Sequence, residues 1–212
     1  TEEENPLLLF QIWLNLPAAS KNVEPYFGMM WNEKIPVVST QDNEGKHIQI
    51  KLIAGNYKDT KALAPAPDSW AANPENGINI WLISLEPEAT FTLPKGAAGA
   101  NRSLYFYEGE MLYAEEFEIP PMHQIKADPT EELVLKNGNQ KAQLLLLEGK
   151  PINEPVVKHG PFVGNTRKDI ETAFMNYQQT QFGGWPWESH EHTHAADRGR
   201  FALFPDGNLQ KP

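Results

Sequence analysis

The sequence predicts a mainly β fold, an antiparallel barrel or sandwich followed by one amphipathic helix. Between residues 37 and 148, short apolar runs alternate with turn dipeptides such as Asn137-Gly138, a spacing that is typical of all-β domains. A single strong helix pattern follows near the end of the chain. The length of 212 residues allows one large all-β domain or two small ones, with a sizeable core.

The strand predictions follow the alternation of apolar and polar residues. Strands are expected at residues 37–38, 47–54, 78–85, 89–93, 116–119, 132–136 and 141–148. Residues 103–107 and 110–113, joined by Glu108-Gly109, have the strongest hairpin pattern in the chain. The stretch 56–74 is rich in proline and alanine, which predicts an ordered surface loop around Trp70.

Residues 7–16, with the sequence LLLFQIWLNL, are the most apolar stretch and end at Pro17. This composition predicts a buried strand. Because an unpaired strand of this kind would be an adhesive sheet edge, we expect it to pair within the barrel, with a second copy of the chain or with a separate N-terminal piece. The candidate domain-interface residues are Leu8, Phe10, Ile12, Trp13 and Leu14.

The predicted helix begins after Thr166, which is expected to form a capping pair with Asp169. Its apolar face consists of Ile170, Ala173, Phe174 and Tyr177, at a spacing typical of an amphipathic helix. Gly183-Gly184 is expected to end the helix, because glycine tolerates the left-handed backbone of a helix terminus. The helix is interpreted as a brace that packs on the preceding β region.

Composition and charge exclude several classes of function. The net charge of −10 disfavours direct nucleic-acid binding, which needs a positive surface. The absence of cysteine excludes disulfides and thiolate metal sites and agrees with a cytoplasmic location. The sequence has no apolar run long enough to cross a membrane, and it lacks phosphate-loop, dinucleotide-binding and G-x-S-x-G motifs.

The polar residues near the C-terminus offer one candidate metal site. His190, His192 and His194 alternate, so in an extended chain their imidazoles would point to one side. A solvated polar tail is the favoured interpretation, because a structural site needs ordered supporting partners. The paired carboxylates Glu116 and Glu118 alternate with apolar residues and are interpreted as the wet face of a strand rather than as catalytic acids.

Several longer motifs in the chain resemble those of the pirin family of the cupin superfamily. The most specific are QIWLNLP at residues 11–17 and HGPFV at 159–163 with Asn165-Thr166, supported by LYFYEGEM at 104–111 and FGGWPW at 182–187. The resemblance spans nearly the whole chain and implies a cupin-type β-barrel, or jelly roll. Pirins have two such barrels, and residues 7–17 resemble the last strand of their N-terminal barrel.

The resemblance also implies where metal chemistry takes place. Full-length pirins bind one iron-type divalent metal in the N-terminal cupin, and bacterial members resemble quercetin 2,3-dioxygenases. In this chain Phe91, Leu93 and Pro94 lie where the paired histidines of a cupin metal site would fall, and Asn101-Arg102 lies near the place of the glutamate. We therefore expect no metal, cofactor or catalytic residue in this barrel, and iron or a similar metal only in an N-terminal cupin.

Two functions remain open on these residues. In the first, the chain is the metal-free half of a pirin-like dioxygenase and the structural partner of the metal-bearing barrel. In the second, it is a protein-binding module without enzymatic activity, as in pirins that act as transcriptional co-regulators. The expected organisation is an end strand and connector at 1–36, a C-terminal cupin barrel at 37–153, a closing segment and helix at 154–184, and an extended tail at 185–212.

Overall fold

The computed structural model of the chain describes residue 4, residues 6–190 and residues 193–212. Its strands are β1 (Val37–Gln41), β2 (His47–Ala54), β3 (Asn56–Tyr57), β4 (Thr60–Lys61), β5 (Asn79–Leu85), β6 (Thr90–Leu93), β7 (Asn101–Glu108), β8 (Leu112–Ala114), β9 (Phe117–Ile119), β10 (His123–Ala127), β11 (Leu133–Asn137), β12 (Ala142–Gly149), β13 (Val157–His159), β14 (Phe162–Gly164), β15 (Ala202–Leu203) and β16 (Leu209–Gln210). The helix α1 is Arg167–Thr180, and short 3-10 turns lie at Ala18–Ser20, Trp70–Ala72, Pro74–Asn76, Gln181–Gly183 and Ala196–Arg198. The predicted fold class, mainly β with a C-terminal helix, is confirmed.

Two antiparallel sheets enclose the core. One sheet has six strands in the order β1-β2-β5-β12-β7-β10, and the other has four in the order β6-β11-β8-β9. Both sheets contribute to a single cluster of buried apolar side chains, which includes Ile83, Phe106, Leu135 and Leu144. Since full burial of one such side chain stabilises a fold by roughly 1.5–3 kcal/mol, this shared cluster holds the two sheets together.

The predicted hairpin around Glu108-Gly109 is wrong, because its two strands belong to different sheets. β7 pairs with β12 and β10, whereas β8 pairs with β11 and β9. Gly109 has a φ of 137° at this corner, and a Cβ there would lie 2.7 Å from the Phe106 ring. The same alternation of apolar residues serves both sheets, so the pattern alone does not distinguish a hairpin from a crossing between sheets.

The prediction of a buried strand at residues 7–16 is also wrong for this chain. These residues form no strand, and Leu7, Leu8 and Leu9 are 86%, 64% and 75% exposed. Apolar composition predicts burial only where another surface is available to cover it. We call residues 7–14 the apolar strap and residues 17–36 the connector.

The helix begins as predicted but ends earlier. Thr166 and Asp169 form the full capping box, in which each side chain accepts a hydrogen bond from the other residue's backbone N–H. Gln181, with a φ of 51°, caps the C-terminus in place of Gly183-Gly184. Aromatic contacts join the helix to the hairpin β13–β14, with Phe162 and Phe174 ring centroids 4.7 Å apart. The helix therefore packs on this hairpin, its own preceding segment.

The C-terminal residues form a small structured unit. β15 and β16 pair as a hairpin after the 3-10 turn Ala196–Arg198, and Phe204 of this hairpin contacts Phe27 of the connector, with ring centroids 5.1 Å apart. Among the described residues, no helix combines the length and the apolarity needed to cross a membrane.

Candidate functional site

The interior between the two sheets is where a metal-dependent cupin would hold its ion, and here apolar side chains fill it. Phe91 and Leu93, where the resemblance leads us to expect paired histidines in a metal-binding cupin, are 3% and 0% exposed and belong to the core. Neither side chain has an atom that could coordinate a metal. Tyr57 packs edge-on against Trp81, with ring centroids 5.4 Å apart, and closes the same region.

No three histidine, cysteine, aspartate or glutamate side chains come together as a metal site among the residues that the structure describes.

A buried ion pair lies at one end of the core. Arg102 on β7 donates from Nε to Glu148 Oε2 on β12 at 2.5 Å, and both side chains are almost fully buried. The guanidinium also donates to the backbone oxygens of Pro94 at 2.8 Å and Glu131 at 3.2 Å. Asn79 donates to the second carboxylate oxygen of Glu148 at 2.9 Å. These bonds join β5, β7 and β12 to the segments around residues 94 and 131.

The sequence interpretation missed this pair, although a pattern in the sequence points to it. Arg102 and Glu148 occupy the inward positions of apolar strands, in register with Leu104 and Leu146, which are fully buried. A charge at an inward position of a strand is expected to have a buried partner, because an unpaired charge is costly to desolvate. Both charged groups are bonded to protein partners, an arrangement that suits a structural role.

Two of the three candidate histidines of the tail, His190 and His194, lie within the described residues. His190 stacks on Trp185 with ring centroids 6.1 Å apart, and His194 lies with its Nδ1 2.9 Å from the Ala195 oxygen. His192 lies outside the described residues. Glu116 and Glu118 are both exposed, which agrees with a solvated strand face.

The outward side of the six-stranded sheet is unusually apolar. Six apolar side chains alternate with core residues along β5, β7 and β12, namely Ile80, Leu82, Tyr105, Tyr107, Leu145 and Leu147, and the polar residues Ser84, Ser103 and Gln143 lie on the same side. Cross-strand register places Leu145 beside Leu82 and Tyr105. We call these six side chains the outer apolar face.

The opposite sheet differs sharply in chemistry. The side chains that alternate with core residues on β6, β8 and β11 are Thr90, Thr92, Tyr113, Val134 and Lys136. This mixture is typical of a sheet face in water. The outer apolar face is therefore the more apolar of the two outward sheet surfaces.

The apolar strap crosses the outer apolar face and covers part of it, since Leu145 is only 5% exposed whereas Tyr105 is 36% exposed. Phe10 makes an edge contact with Tyr107, with ring centroids 4.9 Å apart. A groove of about 610 Å³ lies on one side of the strap, bounded by Trp13, Trp70 and Ile80. A second groove of about 480 Å³ lies on the other side, bounded by Phe10, Tyr105 and Leu145. The strap is therefore flanked by open apolar surface.

The five predicted interface residues all lie on this strap. Leu8 and Trp13 are 64% and 63% exposed, whereas Phe10, Ile12 and Leu14 are between 36% and 39% exposed. Burial raises the pKa of the Tyr107 phenol beside Phe10, and the charge of Glu108 raises it further. This side chain is therefore neutral near pH 7, as an apolar contact surface requires.

Comparisons with known proteins identify the domain. A sequence profile described as the pirin C-terminal cupin domain matches residues 80–183. Residues 80–183 are a pirin C-terminal cupin domain. The chain's relatives include a putative quercetin 2,3-dioxygenase of Pseudomonas aeruginosa, 30% identical over 171 residues, which covers 80% of this chain and 57% of the relative. Human pirin is 26% identical over 184 residues, which covers 85% of this chain and 59% of that protein.

A solved structure supports the same fold. The crystal structure of a quercetin 2,3-dioxygenase from Acinetobacter baumannii superposes with a TM-score of 0.65 at 26% identity, covering 80% of this chain and 55% of that one. The six- and four-stranded sheets are thus a cupin-type arrangement. The chain spans somewhat more than half the length of the relatives it matches.

Proposed function

We propose that this chain is the metal-free cupin of a pirin-like protein and the structural partner of an N-terminal, metal-dependent cupin. In the whole protein, that partner would carry quercetin 2,3-dioxygenase-type activity and hold iron or a similar divalent metal. The names of two of its relatives support the reaction class. Apolar side chains fill the interior of this domain, with Phe91 and Leu93 in place of metal donors. This supports a protein in which the N-terminal cupin alone binds the metal.

The observation that carries the proposal is the exposed apolar strap on the outer apolar face. Three consecutive leucines and Trp13 are all more than 60% exposed, and Trp13 and Phe10 of the same strap each line one of the two apolar grooves. Contiguous apolar surface of this kind in a folded domain marks an interaction site. Leu8, Phe10, Ile12, Trp13 and Leu14 are the residues that we assign to the contact with the N-terminal cupin.

Metal content and turnover test whether the N-terminal cupin alone carries the metal and the activity. The whole protein and this chain are each treated with chelator, reloaded with iron and assayed for bound metal and for loss of quercetin. We expect about one metal ion per chain and turnover in the whole protein, and neither in this chain, because its barrel has no donor set. Stoichiometric metal with turnover in this chain would refute the proposal.

A matched pair of substitutions tests the interface. Leu14 on the strap and Val134 on the outward side of the four-stranded sheet have nearly the same exposure, 37% and 38%. In the whole protein, Leu14→Glu should lower the free energy of unfolding by about 1.5–3 kcal/mol, the value for a buried leucine, whereas Val134→Glu should have a much smaller effect. In this chain by itself, the two substitutions should change the free energy of unfolding by similar amounts. Equal effects of the two substitutions in the whole protein would contradict the assigned interface.

The net charge supports a second candidate function. At −10, the chain is suited to bind a basic protein, as a non-enzymatic module of a transcriptional co-regulator would. This function predicts a whole protein without dioxygenase turnover and binding to a basic partner that weakens as salt increases. A second copy of the chain is the remaining partner for the strap, and the mass of the isolated chain in solution distinguishes a dimer from a monomer.

A further inference from the structure

The C-terminal hairpin, β15–β16, has a well-formed turn but is too small to be stable by itself. Its ladder joins Ala202 to Gln210 and Leu203 to Leu209. Gly207, with a φ of 83°, allows the tight turn and donates to the Phe204 oxygen at 2.9 Å. Because an isolated two-stranded hairpin is at best marginally stable in water, its order depends on what it contacts.

Those contacts are with the connector, at the other end of the chain. Phe204 packs edge-on against Phe27, and Arg200 forms an ion pair with Glu33. The Arg200 guanidinium also lies 5.8 Å from the centroid of the Trp31 ring. Two side chains of the C-terminal end thus hold three positions of the connector.

One buried residue lies on each side of this contact. Trp31 and Ala202 are both 6% exposed, and neither belongs to the main cluster between the sheets. The ion pair between Arg200 and Glu33 is more than half exposed, so it contributes little. Aromatic and apolar packing therefore supplies most of the stability of this contact.

We propose that the C-terminal hairpin is a latch that holds the connector and thereby fixes where the apolar strap leaves the barrel. The connector is held at its start by Glu154, which accepts a hydrogen bond from the Ala18 N–H at 2.7 Å, and at its end by the latch. The pirin profile ends at residue 183, so the latch lies outside the matched domain. It acts within this chain and does not depend on an N-terminal cupin or on a metal.

Hydrogen exchange of the connector measures the latch directly. The backbone N–H groups of Lys34 and Ile35 donate to the Trp31 oxygen at 2.9 and 3.2 Å, so their exchange reports whether Trp31 is held in place. Two variants of the 212-residue chain are compared with wild type. One carries Phe204→Ala, and the other carries Phe204→Ala together with Arg200→Ala. The matched control is Leu203→Ala, because Leu203 lies on the same hairpin and is exposed.

We expect Phe204→Ala to speed exchange of the two connector amides by about tenfold, the effect of losing one aromatic contact with its buried area, and the double variant to speed it further. Leu203→Ala should leave the exchange rate of the two amides within about twofold of the wild-type rate, because its side chain is exposed. Unchanged exchange in β12 verifies that the barrel remains folded. If Lys34 and Ile35 still exchange at the wild-type rate in the double variant, the latch proposal is refuted. The proposed function does not depend on this result.

Discussion

Removal of one partner of the buried ion pair should be among the most destabilising single changes in this barrel. Arg102→Met eliminates three hydrogen bonds, to Glu148, Pro94 and Glu131, and leaves the Glu148 carboxylate buried with a single described donor, Asn79. Breaking a buried pair in this way costs about 3–5 kcal/mol, since an uncompensated charge remains. The loss is a large fraction of the total stability of a typical domain, about 5–15 kcal/mol.

Urea unfolding followed by tryptophan fluorescence measures this loss. Glu148→Leu should cost a similar amount, because it leaves the guanidinium buried without its counter-charge. The double variant with Arg102→Met should recover most of the stability, since both charges are then gone and the site is apolar. Single variants that each lose less than about 1 kcal/mol, the range of surface ion pairs, would show that the pair is solvated and would refute the reasoning.

The remaining predictions concern the helix and the core. Thr166→Ala should cost about 1 kcal/mol, as for other N-cap losses, and urea unfolding with protection of the α1 amides would measure it. The pKa of Asp169 is lowered, first by hydrogen bonds from the backbone of Thr166 and Asn165, so its stabilising effect is present above about pH 4 and is lost as pH falls further. Asp169→Asn should therefore be less stable than wild type at pH 7, and the two unfolding curves should converge as the pH falls to about 3; a constant difference down to that pH would contradict the assignment. Leu144→Ala, at a fully buried position, should lower the free energy of unfolding by about 2–5 kcal/mol. Leu9→Ala on the exposed strap should change the urea midpoint of this chain very little. Equal shifts of the midpoint in the two variants would argue against the described burial.

Alternation of apolar and polar residues predicted most of the strands because it reports burial on one face of a sheet. Strand β2 lies where the pattern placed it, at His47–Ala54, and its neighbours differ by only a few residues. The same pattern does not state which strands pair. β7 and β8 show this, since one continuous pattern serves both sheets across the corner at Gly109.

The candidate site was only partly predictable. The strap residues were identified from their apolarity, but their surroundings depend on which strands form the outer apolar face. Arg102 and Glu148 are 46 positions apart in sequence, and a pattern along one strand does not reveal a partner on another. The latch joins Arg200 to Glu33 across 167 positions and had no local signal beyond its aromatic residues.

The sequence by itself determined the fold class, the positions of most strands, the start of α1 at its capping box and the resemblance to pirins, because these depend on neighbouring residues and on motifs. Tertiary structure alone decided the division of strands between two sheets, the partner of the buried arginine, the contact of the C-terminal hairpin with the connector and the exposure of residues 7–14. These features are contacts between distant segments, and burial depends on the surfaces that the fold brings together. The strap is as apolar as a core strand, yet Leu7, Leu8, Leu9 and Trp13 are more than 60% exposed, because the described residues cover only part of it.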